Sequence, residues 1–176
     1  KQCYFCICNV TISKDREKIE KFFQYLLREI DMLFSFFEKS GKKLRITDIH
    51  LGGGTPSYMT EKEFSTLVNR LKNWINFSKL EEFSMEFDPR SATISKFKLA
   101  KELGINRISM GIQDFKIEIQ EAVNRVHSFE FIDSLLTPEV RNLFKGINFD
   151  VLYGLPMQTR DSFLETIDQV KKLSPD

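Results

Sequence analysis

Cysteine is absent from the sequence after residue 8, although three cysteines crowd the first eight positions as Cys3, Cys6 and Cys8. Three clustered thiols cannot build the paired disulfide framework of a small secreted domain. We therefore expect the protein to occupy a reducing, cytoplasmic compartment. Core packing does not explain the cluster either, because the cysteines of a core are scattered among other hydrophobic residues.

Long apolar runs and an excess of one charge are missing as well. No stretch approaches the roughly 18 consecutive apolar residues that span a membrane, so we expect no membrane partner. The formal net charge is +1, which gives no reason to expect nucleic acid as a partner. With 41% hydrophobic and 29% charged residues among 176, the chain has the composition and length of one globular domain.

The first eight residues carry the chemistry that is most evident from the sequence. Cys3 and Cys6 form a C-x-x-C pair whose sulfurs can converge on one metal, as thiolates do in zinc and iron–sulfur sites. A redox pair or a disulfide is the alternative that this spacing leaves open. Tyr4 and Phe5 lie between the cysteines and would cover a metal site on one side.

Strand-like and helical patterns alternate along the rest of the chain. Strands are predicted at residues 44–51, 82–88, 107–113 and 147–153. Helices are predicted from Ser13 to Gly41, after Thr60, from Thr93 to Gly104, near Phe115, from Ser128 with a restart at Thr137-Pro138, and over 160–173 after Thr159. This alternation predicts an α/β fold with a parallel sheet. The first helix has a wide apolar stripe, for which we expect the sheet as packing partner.

The predicted strands have one apolar and one polar face. In residues 82–88, for example, Phe83 and Met85 alternate with Ser84 and Glu86. If the sheet curls into a barrel, its inner face is therefore polar and lines a cavity. Glu86, Gln113 and Asp150 all fall on that face near the carboxyl ends of strands, where parallel-sheet enzymes place their chemistry.

Five motifs follow the cysteines in a fixed order. They are Gly52-Gly53-Gly54-Thr55-Pro56, Glu86-Phe87-Asp88-Pro89-Arg90, Ser109-Met110-Gly111-Ile112-Gln113-Asp114-Phe115, Val123-Asn124-Arg125 and Asp150-Val151-Leu152-Tyr153-Gly154-Leu155-Pro156. Together with the C-x-x-C pair they resemble the radical S-adenosylmethionine (SAM) enzymes. Within that family they look most like the oxygen-independent coproporphyrinogen III oxidases of haem biosynthesis. The resemblance extends over essentially the whole chain.

The resemblance implies a partial parallel (βα) barrel of about six strands, of which four are visible here. The family pattern is C-x-x-x-C-x-x-C-x-C, and its first cysteine would lie two residues before Lys1. We therefore expect residues 1–176 to be a radical SAM core domain that is incomplete at both ends, with a C-terminal domain outside it.

The resemblance also implies a four-iron four-sulfur (4Fe-4S) cluster and two molecules of SAM. Cys3 and Cys6 are the implied cluster ligands, whereas Cys8 occupies the family's extra position and is not expected to bind iron. An open iron would take the amino and carboxylate groups of one SAM. The cofactors carry the difficult chemistry, and the protein orients them.

Eight residues are implied as contacts for SAM. They are Phe5, Gly53, Gly54, Thr55, Glu86, Gln113, Arg125 and Asp150. The glycine loop would meet the methionyl part of SAM, because glycines allow a close backbone approach, and Glu86 would pair with the SAM ammonium group. Gln113, Arg125 and Asp150 are implied contacts for the second SAM.

The implied activity is the conversion of two propionates of coproporphyrinogen III to vinyl groups. One alternative is a haem chaperone, a carrier without enzymatic activity built on the same core, and another is a radical SAM protein that acts on a different tetrapyrrole. Cys8, Asp88-Pro89-Arg90 and Gln113-Asp114-Phe115 favour the oxidase. We expect a monomer that acts on a small tetrapyrrole, and the sequence does not identify its electron donor.

Three other residues received narrower predictions. Arg90 is a candidate for contact with a substrate propionate. His50 is expected to make a structural hydrogen bond, and His127 to be a surface loop residue. No residue is assigned as a catalytic acid or base.

Overall fold

A parallel sheet of four strands runs through the part of the chain that the computed structural model describes, residues 2–7, 11–41 and 44–176. In order across the sheet, the strands are β1 (Asp48–Leu51), β2 (Glu82–Phe87), β3 (Arg107–Gln113) and β4 (Gly146–Val151). Parallel neighbours need a crossover connection, which the helices supply. The predicted α/β architecture, a partial (βα) barrel, is confirmed.

The helices begin largely where the sequence predicts. They are α1 (Arg16–Lys39), α2 (Glu61–Lys72), α3 (Ile94–Glu102), α4 (Ile117–Ala122), α5 (Phe129–Leu135), α6 (Pro138–Arg141) and α7 (Arg160–Lys172). Side-chain oxygens of Thr60, Thr93, Ser128, Thr137 and Thr159 cap five of them. Thr60 and Glu63 form the predicted capping box, in which each side chain bonds a backbone N–H that the helix leaves unpaired.

The main core lies between the helices and the apolar face of the sheet. Phe83, Met85, Ile108 and Met110 are each 2% exposed or less, and they pack with side chains of α2, α3, α5 and α6. Burying a side chain of this size stabilises the fold by about 1.5–3 kcal/mol. The alternating pattern of the strands is therefore confirmed, and the opposite, polar face is left for the functional groups.

Helix α1 packs differently from the prediction. Its buried residues Phe23 and Leu27 join a second cluster built mainly by α2, with β1 contributing only half-buried side chains. Phe34 stacks on Trp74 at 5.7 Å. The expected sheet partner is therefore only part of the surface on which α1 packs, and α2, which the sequence did not predict as a partner, provides the larger part. None of the described helices is long and apolar enough to cross a membrane.

The starts of α1 and β1 also differ from the prediction. Helix α1 is capped by Asp15, whose carboxylate accepts from two backbone N–H groups, rather than by Ser13, whose hydroxyl accepts from the Asp15 N–H. Strand β1 begins at Asp48 and not at residue 44, because its partner β2 begins opposite Asp48. The Thr47 carbonyl instead accepts from the backbone of Glu81.

Candidate active site on the polar face of the sheet

The polar face aligns side chains from three strands. Glu86 on β2 lies opposite Ser109 on β3, and Gly111 lies opposite Asp150 on β4. The Ser109 hydroxyl donates to Asp150 Oδ2 over 3.0 Å. The shared face predicted for Glu86 and Asp150 is therefore observed.

The glycine loop after β1 holds the carboxylate of Glu86. The Gly53 N–H donates to Glu86 Oε2 over 3.2 Å, and His50 Nε2 lies 3.3 Å from Glu86 Oε1. The other nitrogen of His50 lies 2.9 Å from the Ser84 hydroxyl, which is the structural role expected for this histidine. A Cβ at Gly52 would stand 2.8 Å from His50 Nε2 and 2.9 Å from Glu86 Oε1, so any larger residue there would displace these two side chains.

The loop itself faces solvent. Gly53 has a φ of +104°, a conformation that favours glycine. Gly54 and Thr55 are exposed, and the Thr55 hydroxyl donates to the Gly54 carbonyl over 2.6 Å. These three residues thus present backbone groups at the carboxyl end of β1, next to Glu86.

The cysteine loop docks on the segment that follows α4. The Tyr4 N–H donates to the Val123 carbonyl over 3.0 Å, and the Asn124 amide donates to the Gln2 carbonyl over 2.8 Å. Cys6 N–H closes a turn on the Cys3 carbonyl. Phe5 packs half-buried against an apolar cluster that contains Ile119, Val123 and Leu155.

Two guanidinium groups donate to the sulfur of Cys3. Arg125 Nη1 lies 3.4 Å and Arg90 Nη2 3.6 Å from Cys3 Sγ. Cys3 is buried and Cys6 half-buried, and both are free thiols. Cationic donors around a sulfur suit a thiolate, the form that binds metals.

Arg125 also connects the cysteine loop to β3. Its Nε and Nη2 donate to the Gly111 carbonyl over 3.0 and 2.6 Å. A Cβ at Gly111 would stand 2.6 Å from Gln113 Nε2 and 2.7 Å from Arg125 Nη2. The missing side chain of Gly111 therefore makes the space in which Arg125 and Gln113 meet.

Gln113 lies at an irregularity of the sheet. Its φ is +69°, and the register of β3 with β4 shifts between Gly111 and Gln113. Its amide oxygen is buried and has no hydrogen-bond partner among the described residues. A buried acceptor without a donor is costly, and a ligand with a hydroxyl or N–H group would satisfy it.

Arg90 is held beside the cysteine loop. Its guanidinium donates to both carboxylate oxygens of Asp88 and to the Asn124 carbonyl, and its predicted contact with a substrate propionate stays a prediction. Burial alone would raise the pKa of Asp88, but the Arg90 hydrogen bond and the charge of Arg125 hold it below its ordinary value. The bond to Asp88 in turn raises the pKa of Arg90.

His127 is not a surface residue. It is 7% exposed, and its ring lies edge-on to Phe115 with the centroids 5.9 Å apart. Burial, followed by the charge of Arg125, lowers its pKa to about 4. The surface prediction failed because the residues next to His127 in sequence do not reveal that Phe115 covers it.

Asp114 is a buried carboxylate next to the site whose role was not predicted from the sequence. Asp114, 1% exposed, accepts from the hydroxyl of Thr166 and from the amide of Gln158. The Gln158 amide oxygen accepts from the Gly154 N–H over 2.6 Å. This network fixes the loop after β4, whose Leu155 packs in the cluster with Phe5. An acidic residue directly after an apolar strand was the available signal.

The residues described here provide two thiols for a metal. No group of three or more His, Cys, Asp or Glu side chains that could hold a metal ion occurs in residues 2–7, 11–41 and 44–176. Cys8 lies outside the described residues, so its predicted exclusion from the ligand set stays a prediction. The donors at Cys3 and the unsatisfied oxygen of Gln113 fit an anionic cluster next to a polar ligand.

Comparison with known proteins places the chain in a sequence family. The profile described as "Radical SAM superfamily" matches residues 1–170. The oxygen-independent coproporphyrinogen III oxidase of Pseudomonas aeruginosa is 36% identical over 176 residues, covering 99% of this chain and 38% of that protein. The Escherichia coli protein of the same name is 37% identical, covering 100% and 38%. The chain thus spans less than half the length of these relatives.

Solved structures of radical SAM proteins are also similar to this chain. The structure of coproporphyrinogen III oxidase from Escherichia coli, described as a radical SAM enzyme, superposes with a TM-score of 0.88 at 37% identity and covers 100% of this chain and 40% of that one. A radical SAM methyltransferase from Kitasatospora setae superposes with a TM-score of 0.61 at 14% identity, covering 83% of this chain and 28% of that one. The second likeness concerns the fold alone.

Proposed function

The chain belongs to the radical SAM superfamily, and from this membership we propose that it is the core of an oxygen-independent coproporphyrinogen III oxidase. The reaction is the oxidative decarboxylation of two propionate side chains of coproporphyrinogen III to vinyl groups, which gives protoporphyrinogen IX and carbon dioxide. The observation that carries the proposal is the similarity to oxidases of this name along the whole chain, at 36 and 37% identity.

The cofactors of this superfamily are a 4Fe-4S cluster and SAM. When bound, they supply a 5′-deoxyadenosyl radical through the one-electron reductive cleavage of SAM. We assign Cys3 and Cys6 as two of the cluster ligands and place a third outside the 176 residues. The contact of Phe5 with Val123 and Leu155 fixes the loop and keeps water from its inner side.

The first SAM would bind at the glycine loop. Gly53, Gly54 and Thr55 offer backbone groups at the end of β1, and Glu86 offers a carboxylate for the ammonium group. Glu86 is already oriented by the Gly53 N–H and by His50. A carboxylate held in place in this way loses less entropy when it pairs with a ligand.

The second SAM would bind where β3 and β4 end. Gln113 supplies the unsatisfied amide oxygen, Asp150 an exposed carboxylate and Arg125 a guanidinium between Cys3 and Gly111. These groups suit the hydroxyls of a ribose and the carboxylate of an amino acid. Two propionates react per tetrapyrrole, so two molecules of SAM match the stoichiometry.

The partners and setting of the protein follow from the same proposal. The substrate is a small tetrapyrrole bound largely by parts of the protein outside these residues, and the electron donor is a one-electron reductant. We propose a monomer in the reducing cytoplasm, which keeps Cys3 and Cys6 as free thiols. Nucleic acid and membrane have no role in it.

An anaerobic activity assay tests the proposal. The full-length protein, reconstituted with iron and sulfide, is given coproporphyrinogen III, SAM and a chemical reductant. We expect protoporphyrinogen IX and two methionines released per product. Stoichiometric haem binding without any product would contradict the oxidase and support the haem chaperone.

A further inference from the structure

Asp88 and Arg90 form a charged group at Cys3 for which the proposed function gives no role. Arg90 Nη2 lies 3.6 Å from Cys3 Sγ and 2.6 Å from Asp88 Oδ2. Arg125 Nη1 reaches the same sulfur at 3.4 Å and lies 3.6 Å from the same carboxylate oxygen. Two guanidinium groups thus share a single cysteine sulfur, and both also contact the Asp88 carboxylate.

The group is rigid and largely shielded from water. The side chains of Asp88, Arg90 and Arg125 are 14, 23 and 10% exposed. Asp88 caps the 3₁₀ turn Pro89–Ser91 by accepting from the Arg90 N–H over 3.0 Å. The Arg90 guanidinium is tied at a second point, to the Asn124 carbonyl at 3.1 Å. Charges held this way interact more strongly than mobile surface charges, which water and salt screen.

We propose that Asp88 and Arg90 are positioning residues that set the reduction potential of the cluster bound through Cys3. This inference rests on the proposed function, because it needs Cys3 as a cluster ligand. The cluster accepts one electron from a one-electron donor and becomes more negative by one charge. N–H donors and positive charge at the sulfur stabilise the reduced form, and a nearby carboxylate opposes them.

The geometry predicts effects of opposite sign for the two residues. Removing the Arg90 charge takes away a donor to sulfur and should make the potential more negative. Neutralising Asp88 leaves two guanidinium charges without their shared counter-ion and should make the potential less negative. If the two residues had only a structural role, their substitutions would change the amount of bound cluster but would not shift the reduction potential in opposite directions.

The experiment is a redox titration of the cluster in the full-length protein, followed by electron paramagnetic resonance with dithionite as reductant. The variants are Arg90→Gln, Arg90→Lys and Asp88→Asn. Arg90→Lys keeps the charge but loses the planar fork, so its shift should be smaller than that of Arg90→Gln. The matched control is Arg70→Gln, which removes an arginine paired with Asp31 on the outer helices and should leave the potential unchanged.

The outcomes separate this inference from the proposed function. Opposite shifts for Arg90→Gln and Asp88→Asn support it, whether or not the protein converts coproporphyrinogen III. Shifts of the same sign, or no shift beyond that of the control, overturn it even if conversion is normal. If Asp88→Asn fails to fold, the two Arg90 variants decide the question. The inference then requires the most negative potential in Arg90→Gln, an intermediate one in Arg90→Lys and the least negative one in the unmutated protein. A reconstituted protein without any cluster would overturn both proposals.

Discussion

At the scale of single residues, the chemistry of the site depends on the surroundings of the Cys3 sulfur. Cys3 is 6% exposed and receives two guanidinium N–H groups, whereas Cys6 is half-buried at the outer side of the same turn. Both thiols lie in a loop fixed by a backbone hydrogen bond to the Val123 carbonyl and by a hydrogen bond that the Asn124 side-chain amide donates to the Gln2 carbonyl. This docking makes the two cysteines unequal in their surroundings.

Alanine substitutions of the three cysteines test the assigned ligands. Cys3→Ala and Cys6→Ala should each lose most of the reconstituted iron, since each removes a thiolate ligand. Cys8→Ala should retain it. Iron content and the electron paramagnetic resonance signal of the full-length variants provide the measurement. A protein that needs Cys8 and tolerates Cys6→Ala would require a different ligand set.

Alanine substitutions of Asp150 and Ser109 form a matched pair that tests the second SAM site. Asp150→Ala removes an acceptor from the proposed site, which costs on the order of 1–3 kcal/mol and weakens SAM binding by roughly 5- to 150-fold. Ser109→Ala deletes the hydrogen bond between the two residues but leaves the carboxylate, so its effect should be smaller. Anaerobic binding titrations give both affinities. Equal losses would show that the Ser109 bond matters and the carboxylate does not.

His127 makes stability depend on pH in a defined window. Its pKa in the folded protein is about 4, against an ordinary value of 6.5, so the unfolded chain takes up the proton first as the pH falls. The stabilisation is complete above pH 6.5 and declines as the pH falls toward 4, by about 3 kcal/mol in total.

Replacing the ring of His127 with one that cannot be protonated should remove this pH dependence of the unfolding free energy. In His127→Phe, the difference in unfolding free energy between pH 7 and pH 4.5 should shrink relative to the unmutated apo protein. His50→Gln, a change at the other histidine, should keep it. Urea unfolding at both pH values measures the difference, and an unchanged slope in His127→Phe would assign the effect to other groups.

Among the elements, β3 contributes most to the site because its last residues depart from regular strand geometry. The register shift at Gly111 and the positive φ of Gln113 turn the Gln113 amide over the strand and toward Arg125. A β-bulge of this kind re-aims a side chain next to a functional site.

Gly111→Ala tests this arrangement. The added methyl group would overlap the ends of Gln113 and Arg125, which can move more easily than the backbone, so the protein should fold and keep its cluster. Loss of a charge-assisted contact should weaken SAM binding by on the order of 10- to 100-fold. Gly41→Ala, after the end of α1, is the control: its φ of +70° strains the alanine, but no atom lies near the added group, so SAM affinity should not change. Unaltered SAM affinity in Gly111→Ala would exclude Gln113 and Arg125 from the SAM site.

Local signals predicted the elements well and their partners poorly. Threonine caps at Thr60, Thr93 and Thr159 and the alternation in β2 and β3 depend only on neighbours in sequence, and they are observed. The burial of His127 and the anchoring of Arg90 depend on Phe115 and Asn124, which approach them only in the folded chain. The packing of α1 on α2, in addition to the sheet, likewise depends on residues that are far apart in sequence.

In the molecule as a whole, one face of the sheet is apolar and the other is polar. The helices bury the apolar face of the sheet, and the polar face collects the glycine loop, Glu86, Gln113, Arg125 and Asp150 beside the cysteine loop. The cofactor-binding roles of these residues were predicted from a family resemblance and stay predictions. Their placement on one face is what a reaction between a cluster-bound SAM and a substrate in the barrel requires.

The central claim is that a cluster held by Cys3 and Cys6 meets SAM at this face. The most direct measurement is the electron paramagnetic resonance spectrum of the reduced cluster in the full-length protein, recorded with and without SAM. We predict one 4Fe-4S signal per chain whose shape changes when SAM binds, because SAM would occupy the open iron. A fully assembled cluster with identical spectra in both samples would contradict the claim.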